Sequence, residues 1–163
     1  MNSLPERPAD ASIPALTQRF QTLRDAQATN PVPDWNTRAE RLKALAALIH
    51  DNRDAIVQAT NADFGRRSGE ETDLLEIFPS VAGINHALKH GRRWMRPRRH
   101  WANLAFLPAR IQLTPQPLGV VGILVAWNYP LYLAVGPMTD ALAAGNRVMV
   151  KMPEGTPEFS ALF

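Results

Sequence analysis

Residues 117–156 read PLGVVGILVAWNYPLYLAVGPMTDALAAGNRVMVKMPEGT, and this stretch decides the fold. Residues 120–126 (VVGILVA) do not alternate between apolar and polar, which suits a strand buried on both faces. The run ends in Trp127-Asn128-Tyr129-Pro130. Residues 131–144 read as a helix, with Gly145-Asn146 at its C-terminus. A second apolar run, 148–150, follows and ends in Lys151-Met152-Pro153-Glu154. A strand–helix–strand unit of this kind predicts α/β architecture with a parallel sheet. It also predicts that the two polar clusters stand side by side at the carboxyl ends of neighbouring strands, where such sheets place ligands.

Bulk composition narrows the class. The 163 residues include 45% hydrophobic and 20% charged residues, an ordinary globular balance and enough chain for one domain with a core. No apolar run approaches the ~18 residues of a membrane span. The first residues, MNSLPERPADAS, place Pro and acids where a signal peptide has its apolar core. A cytoplasmic protein without membrane association is therefore expected. The absence of Cys excludes disulfides and thiolate metal sites within these residues. The four His have no metal-ligand spacing with acidic partners, so no metal is expected. The net charge of +3 is local, because Lys89, Arg92, Arg93, Arg96, Arg98 and Arg99 carry the basic excess. That segment, with Trp94 and Trp101, could stack and bind nucleic acid. Charge runs are more often solvated faces, and Pro97 breaks any recognition helix, so no nucleic-acid partner is expected.

Upstream, residues 1–14 are Pro-rich and read as frayed. Leu16, Phe20 and Leu23 predict a short amphipathic helix over 13–28, and 30–33 a linker. Thr37 and Glu40 match a capping box ahead of Leu42, Leu45, Leu48, Ile49 and Ile56, with a break near Asp51-Asn52 and an end at Gly65. Residues 70–94 read as helix with Leu74, Leu75, Phe78, Val81, Ile84 and Leu88 as the apolar face, and a kink or a new helix at Pro79. Residues 96–108 read as loop, and 110–114 alternate as a half-buried strand would. Thr156-Pro157 reads as N-cap and first residue of a last helix. That helix is short, and two parallel strands make no complete sheet. The chain is therefore read as a truncated piece that leaves Phe159, Leu162 and Phe163 exposed and self-associates. The organisation expected is a tail and short helix over 1–36, a helical part over 37–108, and the beginning of a cofactor-binding domain over 109–163.

The polar residues allow bland and chemical readings. Asn128 can shape a turn before Pro130, or its amide can donate to an oxyanion at a strand end. Lys151 and Glu154 are either solvated or a donor and acceptor for ribose hydroxyls. Trp127 reads as core, Tyr129 as a packed ring, and Asp140 as solvent-facing. No Gly-x-Gly-x-x-Gly fingerprint and no P-loop is present.

The segment PLGVVGILVAWNYP followed by Lys151-Met152-Pro153-Glu154 resembles the aldehyde dehydrogenase superfamily. That family carries Pro-Trp-Asn-Phe/Tyr-Pro and Lys-Pro-Ser-Glu at these places. Here Ala126 stands for the Pro and Pro153 for the Ser. The spacing of Lys89, His90, Trp94, Met95 and Pro97 resembles the class-3-like branch, which includes coniferyl and fatty aldehyde dehydrogenases, with the first of these the nearer. The resemblance implies N-terminal helices followed by the first strands of a Rossmann-like NAD-binding domain. It implies Asn128 as oxyanion donor, Tyr129 in the aldehyde channel, and Leu124, Val125, Ala126, Trp127, Lys151, Pro153 and Glu154 at the cofactor, with NAD preferred and NADP possible. It implies a reaction in which a Cys thiolate attacks the aldehyde and a Glu-activated water releases the acid. The Cys and that Glu would lie beyond Phe163, the piece alone would be inactive, and the full-length enzyme would be a homodimer. The substrate implied is an aromatic aldehyde such as coniferyl aldehyde; the alternatives are an aliphatic aldehyde, or a catalytically dead interaction module.

Overall fold

The computed structural model describes residues 13–163, so the reading of 1–12 as frayed lies outside the described residues. A helical layer comes first: α1 (Ile13–Thr29), α2 (Trp35–Asp51), α3 (Arg53–Phe64), α4 (Gly69–Thr72), a π-helical turn (Asp73–Ile77) and α5 (Phe78–Trp94). An antiparallel hairpin of β1 (Arg98–His100) and β2 (Ile111–Leu113) follows. Then come β3 (Val120–Leu124), α6 (Pro130–Ala143), β4 (Arg147–Lys151) and α7 (Pro157–Leu162). β3 and β4 pair in parallel, from Val120↔Arg147 to Leu124↔Lys151.

The helix starts follow their caps. α2 begins before the expected box at Thr37: Asp34, in extended conformation after Pro33, accepts from the Thr37 N–H at 2.9 Å. Thr37 is thus the capped residue and not the cap. Asn52 separates α2 from α3 as the sequence predicts, although its side chain donates back to the Leu48 carbonyl at 2.8 Å. α3 stops at Gly65, whose φ of 72° lies in the left-handed region.

The first half of the next helical stretch differs from the expected face. Leu74 and Phe78 are each 67% exposed, while Thr72, Glu76, Ser80, Ile84, Ala87 and Gly91 are buried. These recur at spacings of four and three; of the expected face, Ile84 is in the core with Val81 and Leu88 packed against it, while Leu74, Leu75 and Phe78 turn outward. Polar Thr72, Glu76 and Ser80 occupy the inward line because Glu76 has partners there, described below. Pro79 is the second residue of α5, which follows the π turn directly, the second of the two arrangements expected of it. Gly91 lets α5 and α2 close up, since a Cβ there would stand 2.2 Å from the Trp35 ring.

Residues 96–108 are not loop alone, because they include β1 and a 3-10 turn at Leu104–Phe106. β2 is exposed along its length, not half-buried. In β3, Ile123 is buried, and Val125 just beyond it, yet Gly122 and Leu124 face outward, with Leu124 84% exposed. Burial on both faces fails because α6 packs its Ala134 against one face only. β3 and β4 are held in register from their starts: Asn146 is buried and its Oδ1 accepts from the Leu118 and Gly119 N–H groups at 2.6 and 3.0 Å.

The main core joins Leu42, Leu45, Ile49, Ile56, Ile84, Leu131, Val135 and Phe159. Phe159 is 0% exposed, which corrects the expectation that it is left bare. Leu162 stays exposed, and Phe163 is half-buried and stacks on Phe159.

Candidate functional site

The site is built where β3 and β4 end. Leu124 pairs with Lys151, and the Val125 N–H donates to the Lys151 carbonyl at 3.1 Å, so the two following segments leave the sheet together. They touch again further out, since a Cβ on Gly155 would stand 3.4 Å from the Trp127 Cβ. Trp127 is 60% exposed and stacks on Phe64 with ring centroids 6.1 Å apart, so its reading as core is corrected. Lys151 Nζ lies 3.4 Å from Glu154 Oε1, and both side chains face solvent. Pro153 is buried and its carbonyl accepts from the Ser160 hydroxyl at 3.1 Å.

Asn128 is exposed between these features. Among the described residues its side-chain amide has no hydrogen-bond partner, while its backbone carbonyl accepts from Arg67 Nη2 at 2.8 Å. The amide is thus free and the backbone is held. Tyr129, half-buried, has its ring 4.7 Å from the Arg67 guanidinium carbon. The Val125 side chain is core and presents only backbone to the strand end, whereas Leu124 and Ala126 are exposed. Trp127 lies against the turn that follows the Lys151–Glu154 pair, while Asn128 and Tyr129 both contact Arg67 of the helical layer.

Several residues that matter here carry no local signal in the strand segment. Arg67 is 10% exposed and Glu76 0% exposed, and they pair at 3.1 Å. The other Glu76 oxygen accepts from the Leu131 and Tyr132 N–H groups at 2.8 and 3.3 Å. A carboxylate there satisfies open N–H groups of α6 and opposes the positive end of its dipole. Burial pushes the Glu76 carboxyl above its usual range, and the Tyr132 and Leu131 N–H groups and Arg67 pull it back in part. At the other end of α6, buried Arg38 donates to the Ala143 carbonyl at 3.1 Å. α7 repeats the device: Thr156 is its N-cap without a side-chain bond, and Asp63 of α3 accepts from the Glu158 and Phe159 N–H groups, both at 2.9 Å. The only hint in the sequence was the series Thr72, Glu76, Ser80, Ile84 at spacings of four, with an acid in its middle.

The edge offers one unpaired amide donor, one ammonium, one carboxylate and the exposed apolar surface of Leu124 and Trp127. Among the described residues no group of three or more His, Cys, Asp or Glu could hold a metal. No described helix is long and apolar enough to cross a membrane.

A family model described as "Aldehyde dehydrogenase family" matches residues 11–163. A probable coniferyl aldehyde dehydrogenase of Pseudomonas aeruginosa is 49% identical over 145 residues, covering 89% of this chain and 30% of that protein. A coniferyl aldehyde dehydrogenase of a Pseudomonas species is 46% identical over 147 residues, 90% of this chain and 30% of that protein. Among solved structures, the substrate-bound state of Staphylococcus aureus AldH superposes with a TM-score of 0.85 at 28% identity, covering 90% of this chain and 32% of that one. A Mycobacterium tuberculosis aldehyde dehydrogenase complexed with NAD+ gives a TM-score of 0.75 at 23% identity, over 93% of this chain and 31% of that one. The chain thus spans about a third of the length of these proteins.

Proposed function

This chain belongs to the aldehyde dehydrogenase family, and from that premise we propose that it supplies the oxyanion donor and part of the cofactor cradle for oxidation of an aldehyde to a carboxylic acid. The observation that carries this is Asn128: an exposed, unbonded amide on a clamped backbone, just past the end of β3, the strand paired with the one that leads to Lys151 and Glu154. When a nucleophile attacks an aldehyde, charge gathers on the carbonyl oxygen. A fixed amide donor stabilises that charge more than the neutral carbonyl, which is what acceleration requires. The chain has no Cys, so the thiolate nucleophile is assigned to residues outside these 163, together with the Glu that activates water. The two Pseudomonas relatives support an aromatic aldehyde such as coniferyl aldehyde as substrate.

The residues at the edge fit a dinucleotide. Glu154 can accept from ribose hydroxyls, Lys151 can donate to them, and the bare surface of Leu124 and Trp127 suits an adenine ring. When bound, the nicotinamide of NAD or NADP supplies the hydride acceptor. Glu154 sets the preference for NAD, since a 2′-phosphate would meet its carboxylate, and Lys151 at 3.4 Å softens that discrimination. Glu154→Gln is expected to narrow the NAD/NADP ratio of kcat/KM by about fivefold, the worth of one charge contact in water. An unchanged ratio would show that the selector lies elsewhere. We propose a homodimer as the assembly, with the bare apolar residues Trp101, Leu104 and Phe106 of the hairpin loop as available surface.

The test joins this chain to the remainder of the Pseudomonas aeruginosa relative, replacing the matching residues. The hybrid is expected to form NADH with coniferyl aldehyde, and the 163-residue chain alone to form none. Turnover by the chain alone, or a folded NAD-binding hybrid without turnover, would refute the assignment.

A further inference from the structure

We propose that Arg67, held by Glu76, is the positioning residue for the Asn128 donor; this rests on the reading of Asn128 given above. A catalytic amide is useful only if its backbone is fixed, because a misplacement of ~1 Å can cost roughly 10²-fold. Asn128 lies in the exposed connection between β3 and α6, outside both elements. Among the described residues, the hydrogen bond that holds it comes from the helical layer through one guanidinium. Arg67 Nη2 donates to the Asn128 carbonyl at 2.8 Å. The guanidinium carbon lies 3.8 Å from the Phe64 ring centroid and 4.7 Å from that of Tyr129. Nη1 pairs with Glu76 at 3.1 Å, and Nε lies 3.4 Å from Glu71. Glu76 carries the hold onward to Leu131 and Tyr132, so Asn128 and the first turn of α6 hang on the same buried pair.

Stability does not explain such a pair, since well-packed apolar replacements of buried ion pairs are often neutral or stabilising. Geometry does. A planar fork can grip a carbonyl, pair with a carboxylate and stack on rings at once, and Lys cannot. The π turn at Asp73–Ile77 holds Glu76 at the point where it meets both Arg67 and α6, and such turns recur at functional sites. Arg67 acts on the reaction only through Asn128.

The experiment has two arms. In the 163-residue chain, hydrogen exchange of residues 125–132 is compared for the parent, Arg67→Lys, and the double variant Arg67→Met with Glu76→Gln. The double variant leaves no unpaired charge buried and so guards against simple unfolding. Both variants are expected to speed exchange in that segment by about tenfold or more, with exchange in α2 and α3 unchanged. In the Pseudomonas hybrid, kcat is expected to fall roughly 10-fold to 10²-fold. KM for NAD should stay within about twofold, and Arg67→Lys should recover part of kcat. Unchanged exchange overturns the proposal, as does a kcat that is unmoved, or one that falls only in step with the melting temperature. If the parent hybrid itself has no turnover, the assignment of Asn128 fails, and the exchange arm still decides whether Arg67 holds the segment.

Discussion

Asn128→Ala in the active hybrid is expected to lower kcat by roughly 10²–10³, or about 3–4 kcal/mol of barrier, the effect of deleting one oxyanion donor. The loss should fall on kcat and kcat/KM together, because the donor matters only once charge develops. Cofactor binding should barely change, since Lys151 and Glu154 stand on the other strand end. The fold should not change either. The Arg67 contact is to the Asn128 backbone carbonyl, which any residue keeps, and the side chain has no protein partner to lose. Asn128→Asp sharpens the test. Aspartate is nearly the same shape and is as good a turn former as asparagine. It has no N–H to donate, and when ionised it brings negative charge to the place where negative charge forms. A turn role therefore predicts that Asp restores activity, and an oxyanion role predicts that Asp is as damaging as Ala or more so. Near-normal kcat in the Asp variant would reduce Asn128 to a turn residue.

The strand–helix–strand unit was legible because its signals are local. Apolar runs are broken by Gly119 and Gly145, both at positive φ, and the polar ends follow directly. The strand pairing also brings Trp127 against the turn at Gly155 that follows Lys151 and Glu154. The supports were not legible, because each reaches across the chain. Glu76 caps α6 from 55 residues away, Arg38 closes its other end from 105, and Asp63 caps α7 from 95. A reading of local caps finds Thr37 and Thr156, and in both cases an aspartate does the capping instead. The same limit explains why the expected face of 70–94 holds at Val81, Ile84 and Leu88 and fails at Leu74, Leu75 and Phe78. Apolar periodicity favours Leu74 and Phe78 for the core. The polar line through Thr72 and Glu76 goes inward because Arg67 and the open N–H groups of α6 are waiting there. The exposed Leu124 has a different cause: strand burial depends on what covers each face, and composition does not say which faces are covered.

Phe159→Ala is expected to destabilise the chain by about 3–5 kcal/mol, the usual cost of removing a fully buried aromatic ring. Against a total of about 5–15 kcal/mol for a domain, that removes a large share of stability. The ring is 0% exposed, joins the cluster of Leu42, Ile49, Ile56 and Leu131, and stacks on Phe163 at 5.7 Å. It is the anchor of α7, a helix of 6 residues, too short to form without tertiary support. The backbone N–H of the same residue donates to Asp63 at 2.9 Å, so ring and cap fix one turn from two directions. Urea unfolding followed by circular dichroism would read the loss as a lower midpoint, with Phe159→Leu falling between the two. The consequence reaches the site, because Ser160 of the same helix holds the Pro153 carbonyl at 3.1 Å, between Lys151 and Glu154. Loosening α7 should therefore weaken NAD binding in the hybrid while leaving the Asn128 contribution to kcat in place. A midpoint close to the parent's would mean that α7 is not held by its core residue, and that the Lys151–Glu154 arm takes its shape from β4 alone.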